Sequence, residues 1–373
     1  PGNFSDDNYS KVDLHRPHVD DWILTSSGGK PMFRESDLID VWFDSGAMPY
    51  AQVHYPFENK DLIDSRKSFP ADFIAEGVDQ TRGWFFTLHA IAGLAFDSVA
   101  YKAVISNGLV LDKGGQKMSK RLGNAVDPFV AIDEYGADAL RWYMITNAQP
   151  WDNLKFDFAG VKEIQRKFFG TLHNVYGFFS LYANVDHFDL QAEQVPHDKL
   201  LEIDHWILSK LNSLINECTI QMDDFEPTKA FRPISDFVQD ELSNWYVRLC
   251  RRRFWKGEVG IDKLGAYQTL HTCLNTVAKM IAPVAPFYAD QLYQDLNNNG
   301  SVHRCDFPIS DKSKINRDLE RRMALAQLMS SLVLSIRKKE KIRVRQPISK
   351  IVVPVFSKSQ EDDIVAIKTL ILS

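Results

Sequence analysis

Apolar positions in this 373-residue chain fall first into short runs and later into long helical stripes. Residues 1–70 are rich in Pro, Gly, Asp and Ser with brief apolar stretches, which predicts irregular structure laid over a core made elsewhere. The texture then changes. Residues 72–75 read as a short strand running into a turn at Glu76 and Gly77, residues 80–96 have the length and apolar density of a buried helix, and residues 101–106 read as a second strand. Strand, helix, strand is the βαβ pattern of a parallel sheet, whose ligands lie beyond the carboxyl ends of the strands. Those ends carry Glu76 to Gln80 and Asn107 with Gly108.

A polar loop with Gly114, Gly115 and Gly123 follows over 109–124, and Asp127-Pro128 opens a helix that should end near Asn147. From residue 158 apolar residues recur three and four apart over 158–183, 200–222, 227–256, 263–282, 286–297 and 313–337, which predicts a helix bundle. Pro283 and Pro286 interrupt it, and residues 348–356 read as a strand opening a further domain. The expected architecture is therefore α/β plus all-α, with an α/β segment over 1–160, a helical domain over 161–345 and the start of another domain over 346–373.

Charge sharpens this division. The net charge of -5 conceals a balance of -8 over residues 1–160 (15 Lys/Arg, 23 Asp/Glu) and +3 over the remainder (29 and 26). The surplus concentrates around Arg248, Arg251, Arg252 and Arg253, and again between Arg337 and Lys350. Both clusters are candidate phosphate contacts. The four cysteines lack any C-x-x-C, and neither His271/Cys273 nor His303/Cys305 has zinc-ligand spacing, so no metal site is expected. His15-Arg16-Pro17-His18 has no third ligand in sight and is assigned no chemistry. The lack of a long apolar run or leader pattern points to a cytoplasmic, non-membrane protein. A start at Pro1 suggests a piece of something longer.

Four stretches carry candidate chemistry, each with a plainer alternative. In Lys117-Met118-Ser119-Lys120-Arg121, two lysines three apart on a glycine-flanked loop can cover a polyphosphate and neutralise charge on a departing pyrophosphate; a merely solvated basic loop is the alternative. In Glu76-Gly77-Val78-Asp79-Gln80, carboxylates and an amide at a strand end can hold ribose hydroxyls and an ammonium group, or Asp79 can simply cap a helix. In Asp40-Val41-Trp42-Phe43-Asp44-Ser45-Gly46, Trp42 can wall an aliphatic pocket and Trp84 can supply another wall, or both can be ordinary core. In 243–255, arginines and aromatic residues share one helix, suited either to RNA phosphates and bases or to bundle packing with solvated charges.

Taken together, these stretches resemble the class I aminoacyl-tRNA synthetases over nearly the whole chain. Their lysine loop has this form with Ser commonly where Arg121 stands, and the wording around Trp42 resembles the isoleucine branch. The resemblance implies a Rossmann-like catalytic domain, of which this chain carries the C-terminal half, followed by an α-helical anticodon-binding domain. It implies Lys117 and Lys120 as catalytic, Glu76, Gly77, Asp79, Gln80, Asn107, Gly108, Met118 and Ser119 on ATP and the adenylate, and Trp42, Asp44 and Trp84 on the amino acid. At the level of the domain, it implies RNA contact around Arg248, Arg251, Arg252 and Arg253. The implied substrates are ATP with Mg2+, L-isoleucine and tRNA(Ile), used by a monomer. The family's His-x-Gly-His motif does not occur in these residues, so little or no aminoacylation is expected of the chain by itself.

Overall fold

The computed structural model describes Lys11, Asp13 and residues 15–37, 40–297 and 300–368. The chain forms two compact units, Pro1–Ser106 and Asn107–Ser373.

The first unit opens with an antiparallel pair, β1 (Ile23–Thr25) and β2 (Pro31–Phe33), followed by short helices α1 (Val41–Gly46), α2 (Met48–Ala51) and α3 (Lys60–Asp64). Then come β3 (Ala71–Gly77), a 3-10 turn (Val78–Arg82), α4 (Trp84–Phe96) and β4 (Tyr101–Asn107), with β3 and β4 side by side in one sheet. The strand-helix-strand expectation holds, but the helix begins at Trp84, not residue 80. Gly83, at φ -135° and ψ -112°, lies outside helical geometry, and Gln80 Oε1 accepts the Trp84 N–H (3.0 Å), one of the amides a helix start leaves unpaired. Tyr50, Ile63, Phe69, Leu88, Ala92 and Ala100 form the core, and Phe96 stacks on Tyr50 at 4.2 Å. Phe73 and Val104 on the strands and Phe86 and Leu94 on the helix remain exposed.

The second unit begins with β5 (Val110–Leu111), which pairs in parallel with β6 (Leu154–Lys155); between them lie α5 (Pro128–Tyr135) and α6 (Ala137–Asn147). The single helix expected over 127–147 is thus two. Gly136 separates them at φ 84° and ψ 150°, a conformation open almost only to glycine. α7 (Phe158–Ile164) and α8 (Gly170–Val185) run on through one π-helical turn, Gln165–Phe169.

The bundle continues with α9 (Glu202–Asp223) and α10 (Pro227–Asp236), then an eleven-residue π-helical segment (Phe237–Val247) leading into α11 (Arg248–Trp255). It ends with α12 (Ile261–Ile281), α13 (Pro286–Asn297) and α14 (Arg317–Lys339). One apolar core joins these helices around the fully buried Trp142, Trp206, Tyr246, Tyr267, Phe168 and Phe254. α6 grips the proline break: Asp138 Oδ2 accepts the Tyr288 N–H (2.6 Å), and Arg141 donates to the Val284 and Pro283 carbonyls (2.8 and 3.1 Å).

The strand expected at 348–356 does not form. Pro354 lacks an amide for a ladder, residues 351–356 are irregular, and a further helix, α15 (Lys358–Ala366), follows. Ile364 and Ile367 pack with Ala326 and Met329 of α14, and Arg321 pairs with Asp363.

Candidate functional site

In the first unit, sequence-distant residues meet around α1 and the start of α4. Asp40 caps α1 by accepting the Trp42 N–H at 3.1 Å. α1 lies close against α4 because Gly46 has no side chain; a Cβ there would come within 2.9 Å of Ile91 Cδ1 and 3.0 Å of the Thr87 carbonyl carbon. The Trp84 indole Nε1 donates to the Ser45 carbonyl at 2.9 Å, tying the second tryptophan to α1. Gly83 sits beneath the Trp42 ring, where a Cβ would lie 3.1 Å from it. Trp42, Gln80 and Trp84 therefore form one small cluster, with Trp42 still 43% exposed and able to offer a ring face.

The strand end beside this cluster stays polar and open. Glu76 and Asp79 are exposed, and a Cβ on Gly77 would lie 2.6 Å from Asp79 Oδ1, so glycine lets that carboxylate fold back over the end of β3. Gln80 Nε2 donates to Asp79 Oδ2 at 3.3 Å. This row of acceptors next to a ring can take hydroxyls and an ammonium group. Asp44 is exposed on α1.

The lysine loop belongs to the second unit. Gly108 donates to the Pro150 carbonyl at 2.8 Å, and a Cβ there would overlap the Asp152 carbonyl, so this glycine has a packing reason within the chain itself. Asn107 and Gly108 are half-buried. Asp112 turns the chain: its N–H donates to the Gln116 carbonyl (2.9 Å), and its Oδ1 accepts the Gln116 N–H (2.8 Å). Leu111 then bridges antiparallel to Lys117.

Lys117 is exposed, whereas Met118 is half-buried against the bundle core and anchors the loop. Ser119 accepts from the Leu122 N–H at 3.2 Å, and its own N–H donates to Asn124 Oδ1 at 2.9 Å. Lys120 opens the 3-10 turn Lys120–Leu122; its side chain lies outside the described residues. Asn124 was missed by sequence reasoning, as was Asp112. Nδ2 of Asn124 donates to Asp112 Oδ2 (2.8 Å) and to the Lys117 carbonyl (3.3 Å). The hydrogen bond from Asn124 and the Gln116 amide hold the Asp112 carboxyl below the usual carboxylate range. The available signal was short polar residues flanking glycines, Asp112 before Gly114-Gly115 and Asn124 after Gly123.

The four arginines on α11 divide. Arg248, Arg251 and Arg252 are exposed, alongside Trp255 at 50% exposure. Arg253 turns inward: its two terminal nitrogens meet Asp204 Oδ1 and Oδ2, each at 2.8 Å, and Nη2 also reaches Asp262 Oδ1 at 2.9 Å. Tyr246 donates its hydroxyl to the same Asp204 at 2.6 Å. The phosphate contact expected of Arg253 thus meets a guanidinium already engaged inside the bundle, and exposed cations on this helix are the other three.

His15 and His18 both approach Asp13 (2.7 and 3.6 Å). Among the described residues, no group of three or more His, Cys, Asp or Glu is placed to hold a metal, and no helix is long and apolar enough to cross a membrane.

Residues 5–157 match the family model of class I tRNA synthetases (I, L, M and V), and residues 204–353 match the anticodon-binding domain of tRNA ligases. Curated relatives include isoleucine–tRNA ligases of Bacteroides fragilis (62% identical), Porphyromonas gingivalis (60%) and Dehalococcoides mccartyi (44%). These alignments cover 100%, 100% and 97% of this chain but 33%, 33% and 36% of the relatives, so the chain spans about a third of their length. Among solved structures, a LeuRS–tRNA–LeuAMS ternary complex of Agrobacterium radiobacter has a TM-score of 0.60 at 20% identity, over 79% of this chain and 36% of that one. A Mycobacterium tuberculosis methionyl-tRNA synthetase with methionyl-adenylate has a TM-score of 0.57 at 19% identity, over 67% and 48%. With a class I catalytic match and an anticodon-binding match following each other along it, the chain belongs to the class I tRNA synthetase family.

Proposed function

We propose that the protein of which this chain is part joins isoleucine to tRNA(Ile), first forming isoleucyl-adenylate from isoleucine and ATP and then transferring the aminoacyl group to the terminal ribose. The observation that carries this reading is the lysine loop, which presents an exposed Lys117 on a backbone fixed by Asp112, Asn124 and Met118. The whole-chain identity to isoleucine–tRNA ligases supports isoleucine as the amino acid.

The chemistry needs positioning and charge stabilisation, with no protein nucleophile. Lys117 and Lys120 take the phosphates; Glu76, Gly77, Asp79 and Gln80 take ribose and ammonium; Trp42 and Trp84 offer apolar surface to a branched side chain. ATP enters with Mg2+ carried on its polyphosphate. Residues 1–160 serve the catalytic domain and residues 161–345 dock the RNA.

Pyrophosphate exchange by the full-length protein with isoleucine, valine or leucine tests the assignment. Isoleucine should drive it best, and a preference for valine overturns the specificity. Lys120→Ala should slow adenylate formation far more than it weakens tRNA binding; equal exchange rates in variant and parent discredit the lysine's role.

A further inference from the structure

A loop that carries two cations toward a polyanion must hold a defined backbone while leaving the lysine side chains free, and the loop over 109–124 has few apolar contacts with which to do so. Met118 is one anchor. The other is a polar lock built on Asn124, whose amide is satisfied on both sides. Its Nδ2 faces only acceptors, Asp112 Oδ2 at 2.8 Å and the Lys117 carbonyl at 3.3 Å. Its Oδ1 faces a donor, the Ser119 N–H at 2.9 Å. The amide can satisfy these partners in one orientation only, because turning it over would set N–H against N–H and oxygen against carboxylate. Asp112 is itself fixed by the Gln116 N–H at 2.8 Å. The backbone is thus pinned on both sides of Met118, at the carbonyl of Lys117 and the amide of Ser119, next to the residues assigned to the phosphates.

We propose that Asn124, oriented by Asp112, is a positioning residue for adenylate formation: it sets the backbone from which the lysines reach the polyphosphate, and touches no substrate. The proposal rests on the adenylate-forming role given above. A lock of this kind supports catalytic groups whose placement matters to within about 0.5 Å, and loss of such outer support commonly lowers activity roughly 10- to 100-fold.

The test uses full-length protein and three variants, Asn124→Ala, Asn124→Asp and the exchange pair Asp112→Asn with Asn124→Asp. Asn124→Asp alone opposes two carboxylates. The pair re-forms the side-chain link in reverse, with the new amide donating to the new carboxylate, and keeps the acceptors for the Gln116 and Ser119 amides, but it gives up the donor to the Lys117 carbonyl. In pyrophosphate exchange, both single variants should lose kcat roughly 10- to 100-fold with the KM for isoleucine within about twofold, since the amino-acid contacts are elsewhere; the pair should recover part of the loss, because the 112–124 link returns while the contact to the Lys117 carbonyl does not. Hydrogen exchange at the Ser119 amide, read on the same proteins, should accelerate in both single variants and slow again in the pair.

Parental kcat in the single variants, or a pair no better than the worse single variant, overturns the proposal. If the parent itself forms no adenylate, the functional reading fails and takes the catalytic role of Asn124 with it, while Ser119 protection still tells whether the lock exists. A fall in kcat without any change at the Ser119 amide also overturns the proposal, because the effect would then not pass through the loop backbone.

Discussion

Arg253 and Arg251 stand two positions apart on one helix, the first turned inward onto Asp204 and the second exposed. The side chain of Arg253 is 11% exposed and that of its partner Asp204 is fully buried. Removing the guanidinium leaves a buried carboxylate without its counter-charge, so Arg253→Ala should cost about 3–5 kcal/mol in chemical denaturation. Arg253→Lys should not restore the loss, because an ammonium cannot make the paired contacts of the fork. Arg251→Ala should change stability by less than about 0.5 kcal/mol while weakening RNA binding and reducing its salt dependence; a large loss of stability would place Arg251 inside the bundle too. In sequence the four arginines look alike, because which of them turns inward depends on the π-helical segment before α11 and on an aspartate more than forty residues away.

Asp112 adds a pH signature at the same scale. Its folded pKa lies below the ordinary 3.8, so the order it lends the loop is fully in place above that value and is lost only as pH falls through the lower, folded one. Protection of the Ser119 amide, corrected for intrinsic exchange, should therefore persist down to about pH 4 and fade below it. Loss of protection already between pH 6 and 5 would show that some other group governs the loop.

At the scale of elements, strong periodicity was legible and interruptions were not. The bundle helices lie close to where three-and-four spacing places them, since burial of an apolar stripe decides them. Gly136 was read through because a lone glycine is tolerated within a helical pattern, yet its φ of 84° and ψ of 150° set the angle between α5 and α6. Gly136→Ala should accordingly destabilise the protein by about 1–3 kcal/mol, measured as a shift in the denaturation midpoint. An unchanged midpoint would mean that a continuous helix fits equally well. The failed strand at 348–356 teaches the converse: apolar alternation marks what could pair, but a strand needs a ladder partner, and Pro354 removes one of its donors. For the candidate site, the lysines, carboxylates and tryptophans were legible as residue types. Asp112 and Asn124 were not, because their importance lies in hydrogen bonds to each other and to the backbone across the loop.

For the molecule as a whole, the uneven charge and the exposed apolar surface point to a division of labour that can be measured. The second unit has a continuous core running from Ala139 to Met323, and it carries the exposed arginines of α11. Among its described residues, the first unit leaves Phe73, Val104, Phe86 and Leu94 exposed around a β3–β4 pair, too few strands to make a stable nucleotide-binding sheet by itself, and the sequence contains no His-x-Gly-His. The 373 residues by themselves should therefore bind tRNA, with an affinity that falls steeply as salt rises, yet support no isoleucine-dependent pyrophosphate exchange. Filter binding over a salt series reads the first property and radiolabelled exchange the second. Exchange at the rate of the full-length protein would show that the nucleotide site is complete within these residues, and RNA binding indifferent to salt would remove the arginines of α11 from the interface.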